Sequence, residues 1–363
     1  MKKFLSIAAI VAFIVAMSCQ GCKSKSTDTN DSVKVDSVDT SISDSTKHTV
    51  EYIKQRIDTI YKYKDDKRFC SSRYLEIDAK AAKLSKELDC IYIDSDHWIC
   101  GQDIDPKWNY RIKEVKNITD STAVVELVVH NFNDERVILD LWYERNDWFV
   151  DDFHVFFSDD GHVEELIETD EIIRFIHECH NIKVENKYGK NFNINKYLPT
   201  MNKLGFPYDE GGDDAYSYNQ YALVDIDLDG KPEVCVRNEE LYASAVFSIT
   251  GDKPKLLTQA DSRTDLVIFE RGVGAQGSCG TGCHQSDFCT VENSNPVDKF
   301  HLYEQYDMGG KLVEKNYTLN NKNISEQKAK KILNDNSLGR VVRYEINWKP
   351  IDLQKKSLST YAE

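Results

Sequence analysis

The chain has 363 residues and no apolar run of the roughly 20 residues that a membrane-spanning helix requires. It also has no excess of basic residues. Its 46 Lys and Arg stand against 61 Asp and Glu, a formal net charge of −15, and no dense Lys/Arg cluster breaks that balance. This excludes a nucleic-acid partner, because holding phosphates requires concentrated positive charge. There is no GxxxxGK[ST] phosphate loop and no Gly-x-Ser-x-Gly nucleophile elbow. The nearest approach to a zinc-protease helix is His177-Glu178-Cys179-His180, whose histidines stand at i and i+3, whereas that chemistry needs i and i+4. They read as a surface pair beside a buried helical stripe of Ile172, Phe175, Ile176 and Cys179. No period of about 20–50 residues recurs, which excludes a propeller or solenoid.

What is present begins at residue 1. Met1-Lys2-Lys3, the apolar run Phe4–Met17 and then Ser18-Cys19 have the layout of a secretory signal. The cysteine narrows this: the segment resembles the signal of a bacterial lipoprotein. The resemblance implies removal of residues 1–18 and acylation of Cys19, with Cys22 as the alternative acceptor. It further implies a lipid anchor in the envelope of a Gram-negative bacterium. Residues 20–25 lack the early acidic cluster of surface-export signals, so the expected position is the outer membrane facing the periplasm, with the cell surface as the alternative. Residues 19–47 read as a lipidated, disordered tether, because positions 23–47 are mostly Ser, Thr, Asp, Lys and Val, with no Pro, Gly or aromatic residue.

Ordered structure is expected from His48. Val50, Ile53, Ile57 and Ile60 recur at helical spacing, as do Tyr74, Ile77, Ala81, Leu84 and Leu88. Beyond Asp105-Pro106 the period changes to two: Ala123, Val125, Leu127 and Val129 share one strand face, and Val137, Leu139, Leu141 and Tyr143 share another. Trp148-Phe149-Val150 follows a turn at Arg145-Asn146-Asp147, and Arg111–Lys116 reads as an earlier strand. Helices followed by an antiparallel meander define an α+β module over residues 48–155. Asp94-Ser95-Asp96, the Gln102-Asp103 pair and Asn146–Asp152 resemble domain-of-unknown-function family 3828. That resemblance implies a lipoprotein module similar to nuclear transport factor 2, with helices on a curved, cone-like antiparallel sheet. It brings no activity with it. Asp94, Asp96, Gln102 and Asp103 are candidates for a pocket mouth, and read equally well as surface turn residues.

Residues 156–215 read as a helical connector and residues 216–351 as a β-rich domain with one late helix near Ser325–Asn334, leaving 352–363 as a tail. The sharpest chemical signal is Asp225-Ile226-Asp227-Leu228-Asp229-Gly230-Lys231-Pro232-Glu233. Alternate aspartates in a tight loop present hard oxygen donors suited to calcium, and Gly230 permits the sharp turn. An EF-hand needs Glu at position twelve, where Val236 stands; Glu233 at position nine resembles instead the strand-flanked loops of FG-GAP-type repeats. Asp225, Asp227, Asp229 and Glu233 are therefore the candidate calcium ligands, and an ion-free acidic turn is the alternative.

Setting Cys19 and Cys22 aside leaves eight cysteines, whose pairing spacing alone does not decide. The glycine-rich stretch Gly272–Cys289 reads as a mobile or tightly folded loop holding Cys279, Cys283 and Cys289. With His284 these have the chemistry of a zinc site, but an oxidising compartment favours disulfides, with Cys235 a further candidate. Val234-Cys235-Val236 reads equally as a buried free thiol. The function expected is that of a non-enzymatic module binding a small ligand, a glycan or an envelope protein. A hydrolase with a carboxylate or metal-assisted pocket, and a scaffold subunit of an envelope complex, are the alternatives.

Overall fold

The computed structural model describes residues 44–93, 95–159, 162–206, 217–334 and 340–352. Cys19, Cys22, Asp94 and most of the expected tether lie outside the described residues. Order starts before His48. Helix α1 (Asp44–Lys47) ends on Lys47, only 3% exposed, whose Nζ donates to the Asn146 carbonyl at 2.8 Å. The Lys47 carbonyl in turn accepts the Trp148 indole N–H at 2.8 Å.

Helix α2 (Val50–Tyr63) starts at Thr49 and, after the short α3 (Asp66–Phe69), α4 (Ser72–Leu88) starts at Ser71. Both caps are hydroxyl side chains that accept a backbone N–H from the first turn, of Tyr52 and Tyr74 respectively. The helical stripes behave as expected: Ile53, Ile57 and Ile60 are fully buried, and Tyr74, Ile77, Ala81 and Leu84 are buried on α4. A five-stranded antiparallel sheet follows in simple order: β1 (Asn109–Lys116), β2 (Thr122–Asn131), β3 (Asn133–Glu144), β4 (Asp147–Asp159) and β5 (His162–Ile167). Buried residues alternate strictly along β2, and Val137, Leu139 and Leu141 bury the matching face of β3. The β3–β4 turn is two residues long, with Arg145 and Asn146 both at positive φ (47° and 63°), the backbone that suits a tight hairpin. The helix stripes and these strand faces belong to one apolar cluster.

The expected connector at 156–215 begins instead with sheet. Residues 156–159 complete β4, and β5 pairs back onto it before helix α5 (Glu168–Tyr188) starts. β5 is an edge strand whose Val163, Glu164 and Glu165 are exposed, so it carries no apolar alternation to read. A 3₁₀ turn (Ile194–Lys196) and α6 (Leu198–Gly205) follow.

The remainder is mostly antiparallel strand. One sheet contains β6 (Gln220–Val224), β7 (Glu233–Asn238), β8 (Ala243–Thr250) and β9 (Lys253–Ala260). The next contains β10 (Thr264–Phe269), β11 (Gly272–Gly280), β12 (Cys283–Glu292), β13 (Asn295–Tyr306), β14 (Leu312–Leu319) and β15 (Lys322–Asn323). The late helix α7 (Glu326–Asn334) is capped by Ser325, whose Oγ accepts the Lys328 N–H at 3.3 Å. β16 (Lys349–Pro350) then returns to pair with β6. The chain is thus a mixture of helices and antiparallel sheets, in the expected class.

The glycine-rich stretch is not a loop. It forms the β11–β12 hairpin, and its glycines answer to close packing. A Cβ on Gly274 would lie 2.2 Å from a ring carbon of Phe288, and one on Gly277 would lie 2.1 Å from the Arg263 carbonyl oxygen.

The described residues form one compact unit, and residues 340–342 are bound to the first sheet and its helices. Val342 joins the first apolar cluster. Arg340 pairs with the fully buried Asp152 of β4 at 2.6 Å and with Asp170 of α5 at 2.9 Å. Asp152 also accepts the Thr169 backbone N–H at 3.0 Å. Burial works against the charge on Arg340, but Asp152 and Asp170 outweigh it and hold its pKa above the ordinary value. Arg340→Met is therefore expected to destabilise the fold by about 2–4 kcal/mol in chemical denaturation, because it strands a buried carboxylate. Asp170→Asn, at a more exposed position, is expected to change stability by less than about 1 kcal/mol.

Candidate functional site

The strands β6 and β7 pair tightly, which forces residues 225–232 into a compact loop between them. Gly230 (φ 83°) and Leu228 (φ 57°) make its left-handed turns. Within it, one carboxylate oxygen from each of Asp225, Asp227 and Asp229 lies within 4.8 Å of the others. Backbone donors surround them: Gly230 N–H reaches Asp225 Oδ2 at 2.9 Å, Lys231 N–H reaches Asp229 Oδ1 at 2.7 Å, and Ser294 N–H, from the β12–β13 turn, reaches Asp227 Oδ2 at 2.9 Å. Asp225 is fully buried, and its Oδ1 has no hydrogen-bond partner among the described residues. Burial raises the pKa of Asp227, the Ser294 hydrogen bond opposes this, and repulsion from Asp229 adds to it. Glu233 stands outside the three-carboxylate set. Its Oε2 accepts the Ile226 N–H at 3.0 Å, so it braces the loop from inside, and burial pushes its pKa up to about 8.

Two residues of α5 complete this region. His180 Nδ1 lies 3.0 Å from Asp225 Oδ2, which ties the loop to the helix. His177, one turn earlier, is 1% exposed, stacks on Tyr344 and has no hydrogen-bond partner on either ring nitrogen among the described residues. The pair is thus no surface feature. The apolar stripe of α5 carries His177 inward alongside Ile173 and Ile176, and the Asp225 loop covers His180. Both histidines, with Asp227 and Asp229, line a cleft of about 1260 Å³. One face of α4 (Arg73, Ile77, Lys80, Leu84), one face of α5 and the β10–β11 and β12–β13 turns make its walls.

A second pocket, of about 340 Å³, lies at the other end of α5. Asp96 lines it, while Gln102 and Asp103 do not. The chain turns away after Gly101, and the Asp103 carbonyl is taken by the Asn131 side chain at 2.8 Å. The pocket centres on His97, a residue that sequence reasoning passed over although it stands beside Asp96. His97 lies between Asp66 (3.1 Å) and the buried Glu168 (2.9 Å), and Glu168 also accepts the Tyr74 hydroxyl. Burial alone would lower the His97 pKa, but the hydrogen bonds to Asp66 and Glu168 outweigh it and raise it to about 10. Cys70, near Asp66 and His97, has its thiol pKa pushed well up by burial. Asp66, His97 and Glu168 thus form an ion-pair network in which both carboxylates hold the imidazole in its protonated form.

Of the candidate cysteines, Cys279 and Cys283 form a disulfide that closes the tip of the β11–β12 hairpin. Cys235 and Cys289 do not join it. Both are free thiols buried in one apolar cluster, where Cys289 directs its thiol to the Leu257 carbonyl at 3.6 Å.

Among the described residues no helix is long and apolar enough to cross a membrane. Comparison with protein-family models, with curated proteins and with solved structures gave no match to this chain.

The raised pKa of His97 has a consequence for stability. A group whose folded pKa exceeds its unfolded value stabilises fully below the unfolded pKa and loses that contribution as pH rises through the folded one. Stability from His97 is therefore complete below about pH 6.5 and declines as pH approaches about 10. His97→Gln is expected to be less stable than wild type at pH 6 and to show a flatter decline to pH 10, measured by urea unfolding across that range.

Proposed function

We propose that this chain is a lipid-anchored envelope lipoprotein whose folded part is a non-enzymatic, calcium-stabilised binding module. The address comes from the lipoprotein-like start at Cys19. The helices over the five-stranded sheet are read as the nuclear transport factor 2-like cone, a reading supported by the single apolar cluster they share. The observation that carries the calcium reading is Asp225: a fully buried carboxylate, one oxygen without a partner among the described residues, grouped with Asp227 and Asp229. Leaving such an oxygen unsatisfied is costly, and a hard divalent cation satisfies it while relieving the repulsion among the three aspartates. Asp225, Asp227 and Asp229 would hold the ion, with Glu233 and His180 fixing the loop around it. Turnover is disfavoured at the smaller pocket, whose carboxylates are committed to partners: Asp66 to His97 and Trp98, Glu168 to His97 and Tyr74, Asp78 to Tyr92, and Asp96 to the Trp98 backbone N–H.

The test is thermal unfolding of the full chain in EDTA and in millimolar calcium. The expected result is a stabilisation of about 2.7 kcal/mol once free calcium reaches about 100 times its Kd. Asp227→Ala should abolish the shift without changing the melting temperature in EDTA by a comparable amount. An identical melt with and without calcium in wild type would refute the calcium reading.

A further inference from the structure

We propose that the cleft between α4 and α5 binds a hydroxyl-rich saccharide, with His177 as its buried hydrogen-bonding anchor. The inference rests on the binding-module reading and names the class of ligand. His177 carries the argument. Burial and the neighbouring His180 hold its pKa down to about 4, so at neutral pH the ring offers one N–H donor and one nitrogen acceptor. Neither has a hydrogen-bond partner among the described residues, and the residue, 1% exposed, lies in the wall of the cleft. Such a group calls for a partner that accepts and donates at neighbouring atoms, as adjacent sugar hydroxyls do.

The rest of the lining has the same dual character. Arg73 binds Asp151 through Nη1 at 3.1 Å, but its Nη2 is buried and has no partner among the described residues. Lys83 and Arg271 bring positive charge that acts on Glu87 and Glu76 of the same cleft, while Asp227 and Asp229 add acceptors on the loop wall. A simple anion would meet those carboxylates, and a simple cation would meet the arginine and lysines. A hydroxyl satisfies both kinds of group at once. The volume of about 1260 Å³ exceeds the upper end of ordinary small-ligand pockets and suits several linked sugar rings rather than one. A calcium ion on Asp227 and Asp229 would face the same space and add a further site for hydroxyl oxygens.

The experiment uses the full chain labelled at the histidine rings. It is titrated in calcium buffer with neutral tetrasaccharides of glucose, mannose, galactose and N-acetylglucosamine, and separately with a tetragalacturonate and with inorganic phosphate. At least one neutral tetrasaccharide should shift the His177 ring signals with submillimolar to millimolar affinity, and phosphate should not. His177→Leu should weaken binding by at least about tenfold, the loss of a well-made hydrogen bond to a buried group. His177→Gln, which keeps a donor and an acceptor, should retain most of the affinity. Lys83→Met, on the exposed rim, gives a folded variant expected to bind severalfold more weakly even if His177→Leu does not fold. The proposal is overturned if no neutral saccharide shifts His177, if only tetragalacturonate or phosphate does so, or if Lys83→Met and His177→Gln leave affinity unchanged while His177→Leu does too. A calcium-induced rise in melting temperature without saccharide binding would remove this inference and leave the calcium reading standing. Saccharide binding that persists in EDTA, with no calcium effect on melting, would do the reverse.

Discussion

Burial of helix α5 from more than one side is the constraint on which the rest of the structure depends. Its 21 residues run about 31 Å. Ile172, Ile173, Ile176 and Cys179 enter the first apolar cluster, and Val184 enters the second. A helix used this way cannot turn all its polar groups to water, so each inward polar group must find a partner elsewhere. Glu168 finds His97 and Tyr74, Thr169 finds Asp152, and His180 finds Asp225. These partners come from four distant parts of the chain, so satisfying one helix fixes the positions of the α4 face, the first sheet and the β6–β7 loop together. His177 is the exception: it lines the cleft beside His180, and neither of its ring nitrogens has a hydrogen-bond partner among the described residues.

The same arrangement explains what the sequence disclosed. The stripes of α2 and α4 were legible because each is a one-sided pattern introduced by a hydroxyl cap, Thr49 and Ser71. Strands β2 and β3 were legible because one face is buried and the other is not. Strands β5 and β9 were not, since an edge strand need not alternate; β9 even carries Pro254, which an edge tolerates. β11 was hidden by glycines present for close packing against Phe288 and Arg263, which on paper look like flexibility.

The site was legible in its chemistry but not in its assembly. Alternate aspartates before Gly230 announce a compact acidic loop from local sequence alone. That His180 and the β12–β13 turn reach this loop is a long-range fact, spanning 45 and 67 residues, and no local pattern encodes it. The cysteines show a similar limit. Spacing left Cys279, Cys283, Cys289 and Cys235 as alternatives, and the hairpin turn decides among them by bringing the Cα atoms of Cys279 and Cys283 to 5.1 Å while strand pleat turns Cys235 and Cys289 into the core.

The hairpin bridge has a practical corollary. Cys279 and Cys283 are four residues apart, with Gly280 (φ 149°) and Gly282 (φ 68°) on either side of Thr281 at the tip. Such glycine-rich tips are where proteases most readily nick a folded chain. A cut there would leave β11 and β12 covalently joined and still paired along their length. Nicked and intact molecules would then migrate together in a denaturing gel until a reductant separates the two fragments.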